Sequence, residues 1–148
     1  MRLRKAKSGK SKEPVWLDER DIRMLHSQVL ALHGGISGEV VPALFTAALA
    51  QPREDYLGGE TNILALAASY AATIGQERPF KDGNRQAGLV ACVLFLNLNG
   101  YELMAPEVEV VHAITELSRD AMDQHGFQKY LKAHVIRYQR SARPLRPE

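Results

Sequence analysis

The sequence predicts an all-α fold, a single helical domain with a central apolar helix after a short glycine-containing loop. Apolar residues recur at three- and four-residue spacing between cap-like Asp, Thr and Asn residues and glycine stops. No segment keeps the strict alternation of a half-buried strand, and no repeat is present. At 148 residues the chain is long enough to bury a core without disulfide staples.

Each element has its own signal. Residues 1–14 are rich in Lys, Ser and Gly and are expected to be a disordered basic tail. Order is expected to begin at Pro14-Val-Trp-Leu17, an extended lead-in anchored by Trp16. Asp18 is a suitable N-cap, with Asp21 in the cap-box position, for a helix carrying Ile22, Leu25, Val29 and Leu32 at helical spacing. Gly34-Gly35 stops it. A second helix is expected over about 39–50, then a polar loop over 51–60. Thr61 or Asn62 caps a third helix reaching about Gln76, whose alanines (65, 67, 68, 71 and 72) suit close packing against a neighbour. The loop Arg78-Pro-Phe-Lys-Asp-Gly-Asn-Arg-Gln-Ala-Gly88 leads into the central helix, about 85–98, apolar on nearly every side and ended by Asn99-Gly100. Pro106 opens a further helix with acidic residues in its first turn, and a last helix is expected over about 126–139. The domain is thus expected over 15–136, followed by a basic tail over 137–148.

Composition bounds the function. The hydrophobic fraction is 45% and the charged fraction 24%, ordinary for a globular protein. The net charge of +2 is uneven. Residues 1–14 carry six basic residues against Glu13, and residues 137–148 carry four arginines against Glu148, so the body between them is acidic. Basic tails on an acidic body could contact nucleic acid, but no aromatic residue is interleaved with the N-terminal charges, which argues against single-strand binding. The lone cysteine, Cys92, lies in the apolar run Leu89–Leu96 and fits a buried, inert thiol in a reducing cytoplasm. The longest apolar stretch is too short for a bilayer, and the basic N-terminus lacks the apolar core of a signal peptide.

The loop 78–88 carries the chemistry. Asp82 could hold a divalent cation through carboxylate oxygen. Gly83 and Asn84 tolerate the tight backbone geometry of an anion nest, and the following helix turns its free amides and positive dipole end to the same point. Arg85 adds a fixed cation, and Phe80 anchors the turn to the core. The five histidines, His26, His33, His112, His125 and His134, lie away from the loop in sequence and are read as surface or helix-packing residues. They have no metal-ligand spacing. Tyr56 is read as a packing or target-docking residue.

The same loop resembles that of the death-on-curing toxins, a branch of the Fic family. Their pattern is His-x-Phe-x-Asp-Gly-Asn-Lys-Arg-Thr-Ala before an apolar helix ending in Leu-Asn-Gly-Tyr. Phe80, Asp82, Gly83 and Asn84 match it, as does Phe95-Leu-Asn-Leu-Asn-Gly-Tyr101. The likeness extends over about 15–136, through Trp16-Leu-Asp-Glu-Arg-Asp, Leu25-His26, His33-Gly-Gly35, Ala48-Leu-Ala-Gln-Pro-Arg53 and Ala133-His-Val135. It implies a helical fold that binds ATP with Mg2+ and modifies a hydroxyl on a protein. By resemblance this would be phosphorylation of elongation factor Tu by the toxin component of a type II toxin–antitoxin system, restrained by an antitoxin. A Fic-type adenylyltransferase with an altered loop, and an inactive binding module for an antitoxin or target, are the alternatives.

The resemblance also assigns roles. The family's loop histidine is the base, its acidic residue the magnesium ligand, and its Asn, Lys and Arg the phosphate holders. Those roles fall on Arg78, on Asp82, and on Gly83, Asn84, Arg85 and Gln86. Five positions depart from the pattern. Arg85 keeps the charge of Lys, Gln86 loses that of Arg, and Ala87 and Gly88 replace Thr and Ala. The gravest departure is Arg78 in place of His, because a guanidinium does not accept a proton at any working pH. The resemblance therefore implies a phosphate-binding fold with impaired turnover.

Overall fold

A computed structural model describes residues 13–33 and 40–138. Among these are six helices and two three-residue strands: α1 (Glu19–His33), α2 (Pro42–Leu57), α3 (Ile63–Glu77), α4 (Asn84–Leu98), β1 (Tyr101–Leu103), α5 (Glu107–Ser118), α6 (Gln124–His134) and β2 (Val135–Arg137). The all-α class expected from the sequence is the class observed. Most of both expected basic tails, and the Gly34-Gly35 stop, lie outside the described residues.

Local signals set most of the helix starts. Asp18 Oδ1 accepts the Arg20 N–H at 2.8 Å, the bond of an N-cap at the first turn of α1. Asn62 Oδ1 does the same for Leu64 at 2.8 Å at the head of α3, and Asp123 Oδ1 for Gly126 at 2.7 Å at the head of α6. The lead-in is strapped down as Trp16 suggested. Val15 exchanges two hydrogen bonds with the Asn99 side chain, at 2.9 and 3.1 Å. The Trp16 ring lies 5.8 Å from Phe95 and 5.6 Å from Tyr56, with the Arg53 guanidinium 5.2 Å over it. Tyr56 is thus a packing residue of this strap.

Four expectations need correction. First, the most enclosed helix is α3, not α4: α3 is buried along Leu64–Ala72 and packs on α2, α4, α5 and α6, whereas Leu89, Val90, Val93 and Leu94 of α4 are only half-buried. Second, α2 runs to Leu57, through what read as a polar loop. Pro52 should interrupt it, but the residue is buried and Asp55 ties down the next turn, accepting at 2.8 Å each from Gln51 Nε2 of the same helix and from Ser69 Oγ of α3. Third, the buried stripe of α1 is Ile22, His26 and Leu30, while Leu32 is 81% exposed. Fourth, α6 ends at His134 because the β-branched Val135-Ile136 segment pairs antiparallel with β1, Leu103 opposite Val135 and Tyr101 opposite Arg137.

The core is one cluster in which Phe45, Tyr70, Phe95 and Phe127 are almost wholly buried. Each such side chain contributes roughly 1.5–3 kcal/mol by leaving water. Burial also pushes the Cys92 thiol up to about 12, so it is inert at neutral pH. The alanine-rich face of α3 lets α4 approach until a Cβ on Gly88 would stand 2.9 Å from the Ala71 carbonyl oxygen. Backbone cannot swing aside as a side chain can. Gly88→Ala is therefore expected to lower stability by about 1–2 kcal/mol, because overpacking outweighs the gain in helix propensity. Urea denaturation followed by Trp16 fluorescence measures it. A stabilised Gly88→Ala would show that the two helices have slack.

Candidate functional site

The loop between α3 and α4 begins with a residue in an uncommon backbone conformation. Arg78 caps the C-terminus of α3 at φ 54°, ψ 57°, in the left-handed region, its N–H donating to the Ile74 carbonyl at 3.2 Å. Arginine seldom occupies this region, whereas histidine is among the residues enriched there. Its side chain is exposed. Pro79 and Phe80 then turn inward and are buried.

Three contacts clamp the loop. The Val41 N–H, at the entry to α2, donates to the Pro79 carbonyl at 2.7 Å, and Val40 bridges Phe80 in antiparallel fashion. Asn84, 4% exposed, accepts the Phe80 N–H with Oδ1 and donates to the Phe80 carbonyl with Nδ2, both at 2.9 Å. The third is His26, reaching up from α1, with Nε2 2.7 Å from the Asp82 carbonyl oxygen. Its ring is stacked on Phe80 at 3.9 Å and 17°. Phe80 in turn meets the edge of Phe45 at 5.0 Å, so it anchors the turn as its sequence position suggested.

Gly83 is the N-cap of α4 at φ 77°, and a Cβ there would stand 3.0 Å from both His26 Nε2 and Leu30 Cδ2. Only glycine meets both demands. Its N–H donates to Asp82 Oδ1 at 2.8 Å. The Ala87 N–H bonds back to Gly83 at 2.9 Å as the first closed helical turn, so the amides of Asn84, Arg85 and Gln86 precede the intrahelical ladder, at the positive end of α4. Arg85 leans on α5, donating through Nη1 to Thr115 Oγ1 at 3.3 Å, and Gln86 is exposed.

The seven residues singled out in the sequence, Arg78, Phe80, Asp82, Gly83, Asn84, Arg85 and Gln86, therefore share one loop and helix end, in unequal roles. The Asn84 side chain is committed to Phe80, so what it offers an anion is its backbone N–H. Asp82 is exposed and offers a hard carboxylate oxygen. Among the described residues no group of three His, Cys, Asp or Glu side chains could hold a metal alone. A magnesium ion here suits Asp82 only with phosphate oxygens and water completing its shell, which is how that ion is commonly held.

Sequence reasoning missed His26. It is 2% exposed and lies a helical turn from Ile22 and from Leu30, so the signal was a histidine on the apolar stripe of its own helix. His112 and His125 are exposed, and His134 Nδ1 pairs with the Tyr130 carbonyl at 2.8 Å, so these three fit the surface and packing roles expected.

A tightly turned loop running into a helix start, with Asp82, Arg85 and Gln86 exposed around it, is an arrangement of the kind that can hold an anion. The Fic/DOC family model matches residues 16–96, over half of the chain and including every residue of the loop, and the chain belongs to that family. No curated protein matches it significantly. Among the described residues no helix is long and apolar enough to cross a membrane.

Proposed function

We propose that this is a death-on-curing-like toxin component whose loop still holds the phosphates of MgATP but whose hydroxyl-modifying activity is impaired. One observation carries the reading: Arg78 occupies the loop position at which the family resemblance places the catalytic histidine, and its side chain is exposed. Bound MgATP would supply the phosphoryl or adenylyl group for a hydroxyl of a protein target. In that transfer the hydroxyl oxygen bonds to phosphorus, the bond to the leaving phosphate oxygen breaks, and the hydroxyl proton must find an acceptor.

The chain's own residues divide these tasks. The amides at the start of α4 would hold phosphate oxygen, and Asp82 would offer its carboxylate to magnesium. Arg85 would add positive charge from beside α5. Arg78 can bind an anion but takes no proton. His26 does not replace the base, since it is buried behind the loop and its Nε2 is bonded to the Asp82 carbonyl. On the death-on-curing reading the chain is a cytoplasmic protein, the target is elongation factor Tu, and the restraining partner is an antitoxin.

Calorimetry with MgATP, together with incubation in bacterial extract with ATP labelled at the α- or the γ-phosphate, tests the proposal. Measurable binding without a labelled protein is the expected result. Robust γ-label transfer would overturn the impairment, α-label transfer would make the chain an adenylyltransferase, and absence of nucleotide binding would leave a binding module for an antitoxin or target.

A further inference from the structure

We propose that His26 is a positioning residue for the site. By fixing the plane of the Asp82–Gly83 peptide from behind, it sets the direction of the exposed Asp82 carboxylate and of the helix start that follows. A carbonyl oxygen only accepts, so the 2.7 Å contact with Asp82 requires the hydrogen to be on Nε2 of His26. Two contacts then fix the ring. Stacking on Phe80 at 3.9 Å sets its plane, and the hydrogen bond sets its rotation within that plane. At 2% exposure, water does not stand in for the imidazole.

Because the peptide unit is planar and trans, a carbonyl drawn toward α1 sends the N–H of the same plane the opposite way. That N–H belongs to Gly83 and meets Asp82 Oδ1 at 2.8 Å, which holds the carboxylate on the face away from His26. Gly83 is left-handed beside this contact, and the 3.0 Å clearance between its Cβ direction and Nε2 leaves no room for another residue. His26 thus acts through Asp82 and Gly83 and touches no reacting atom. The loop-orienting part stands on these contacts alone, while its consequence for magnesium and phosphate rests on the function proposed above.

The experiment uses the full chain and two variants, His26→Phe, which keeps a ring on Phe80 without the donor, and His26→Gln, which keeps an N–H donor without the ring. Imidazole nitrogen NMR of the parent should show the Nε2–H tautomer. His26→Phe should speed hydrogen exchange at Gly83, whose N–H is bonded to Asp82 Oδ1, by about tenfold, a hydrogen bond's worth, with amides of α3 and α6 unchanged. His26→Gln should restore most of the protection. MgATP affinity should fall about tenfold in His26→Phe and recover in His26→Gln, the size of effect known for groups that orient metal ligands. An Nδ1–H tautomer in the parent, unchanged exchange at Gly83, or exchange raised equally throughout the chain would overturn the proposal. If the parent binds no MgATP while the tautomer and exchange results hold, the nucleotide reading falls and the positioning role stands.

Discussion

Arg78→His is expected to raise group transfer by about 10²–10⁴-fold over the parent, the usual worth of a positioned general base. The left-handed backbone at this position, φ 54° and ψ 57°, suits histidine better than arginine, and the exposed side chain displaces nothing from the core. Gln86, where the family pattern has arginine, should keep the gain near the lower end, because one fixed charge beside the phosphates is still missing. Adding Gln86→Arg should raise it further. A base must be neutral to take a proton, so the gained activity should rise with pH through about 6.5, the ordinary histidine value. Label transfer from ATP in extract, measured across pH 5.5–8.5 (roughly the range over which an imidazole changes charge), reads both effects. No gain, or a gain without that acidic limb, would place the lesion elsewhere in the loop.

How much of this was legible beforehand differs between fold and site. Helix capping and small-residue content are local properties, so Asp18, Asn62 and the alanines of the third helix spoke for themselves. Pro52 misled because a proline followed by Arg, Glu, Asp and a Gly pair reads locally as a loop. What keeps it helical is remote, namely Ser69 bonded to Asp55 and Tyr56 packed on Trp16. Leu32 misled for the complementary reason. Spacing shows that a helix has an apolar face but not its angular centre, and here the buried line runs through Ile22, His26 and Leu30, with Leu32 pointing outward. The β1–β2 ribbon was invisible because two three-residue segments are too short to show alternation.

The site followed the same division. Its residue types and order announced a tight turn into a helix start, since Asp-Gly-Asn before an apolar run says so locally. Which atoms face outward was not legible. Asn84 looked like a phosphate ligand, and its side chain instead closes the turn on Phe80. His26 is 56 residues from Asp82 and looked like packing, yet it orients the peptide that matters most. Both surprises have one physical origin. A loop whose amides are to stay available must have its own buried polar groups satisfied from inside, and the partners that do so cannot also face the ligand.

That division makes the expected cost of Asn84→Ala a stability effect first. Truncation leaves both the N–H and the carbonyl of Phe80 without the partners they now have at 2.9 Å, in a buried setting. At roughly 1–3 kcal/mol for each unsatisfied buried group, with some relief as the turn relaxes toward water, the loss should be about 2–4 kcal/mol. Asn84→Asp separates the two bonds. A carboxylate still accepts the Phe80 N–H but sets an oxygen against the Phe80 carbonyl, so it should cost as much as alanine or more. Urea midpoints at constant slope, followed by the fluorescence of Trp16, give the values. MgATP titration at a temperature where both variants remain folded then isolates the ligand effect. Were the Asn84 side chain mainly a phosphate ligand, Asn84→Ala would leave the midpoint almost unmoved and lower affinity alone. The paired bonds to Phe80 predict the reverse order, with stability lost first and affinity falling because the turn that presents the α4 amides no longer keeps its shape.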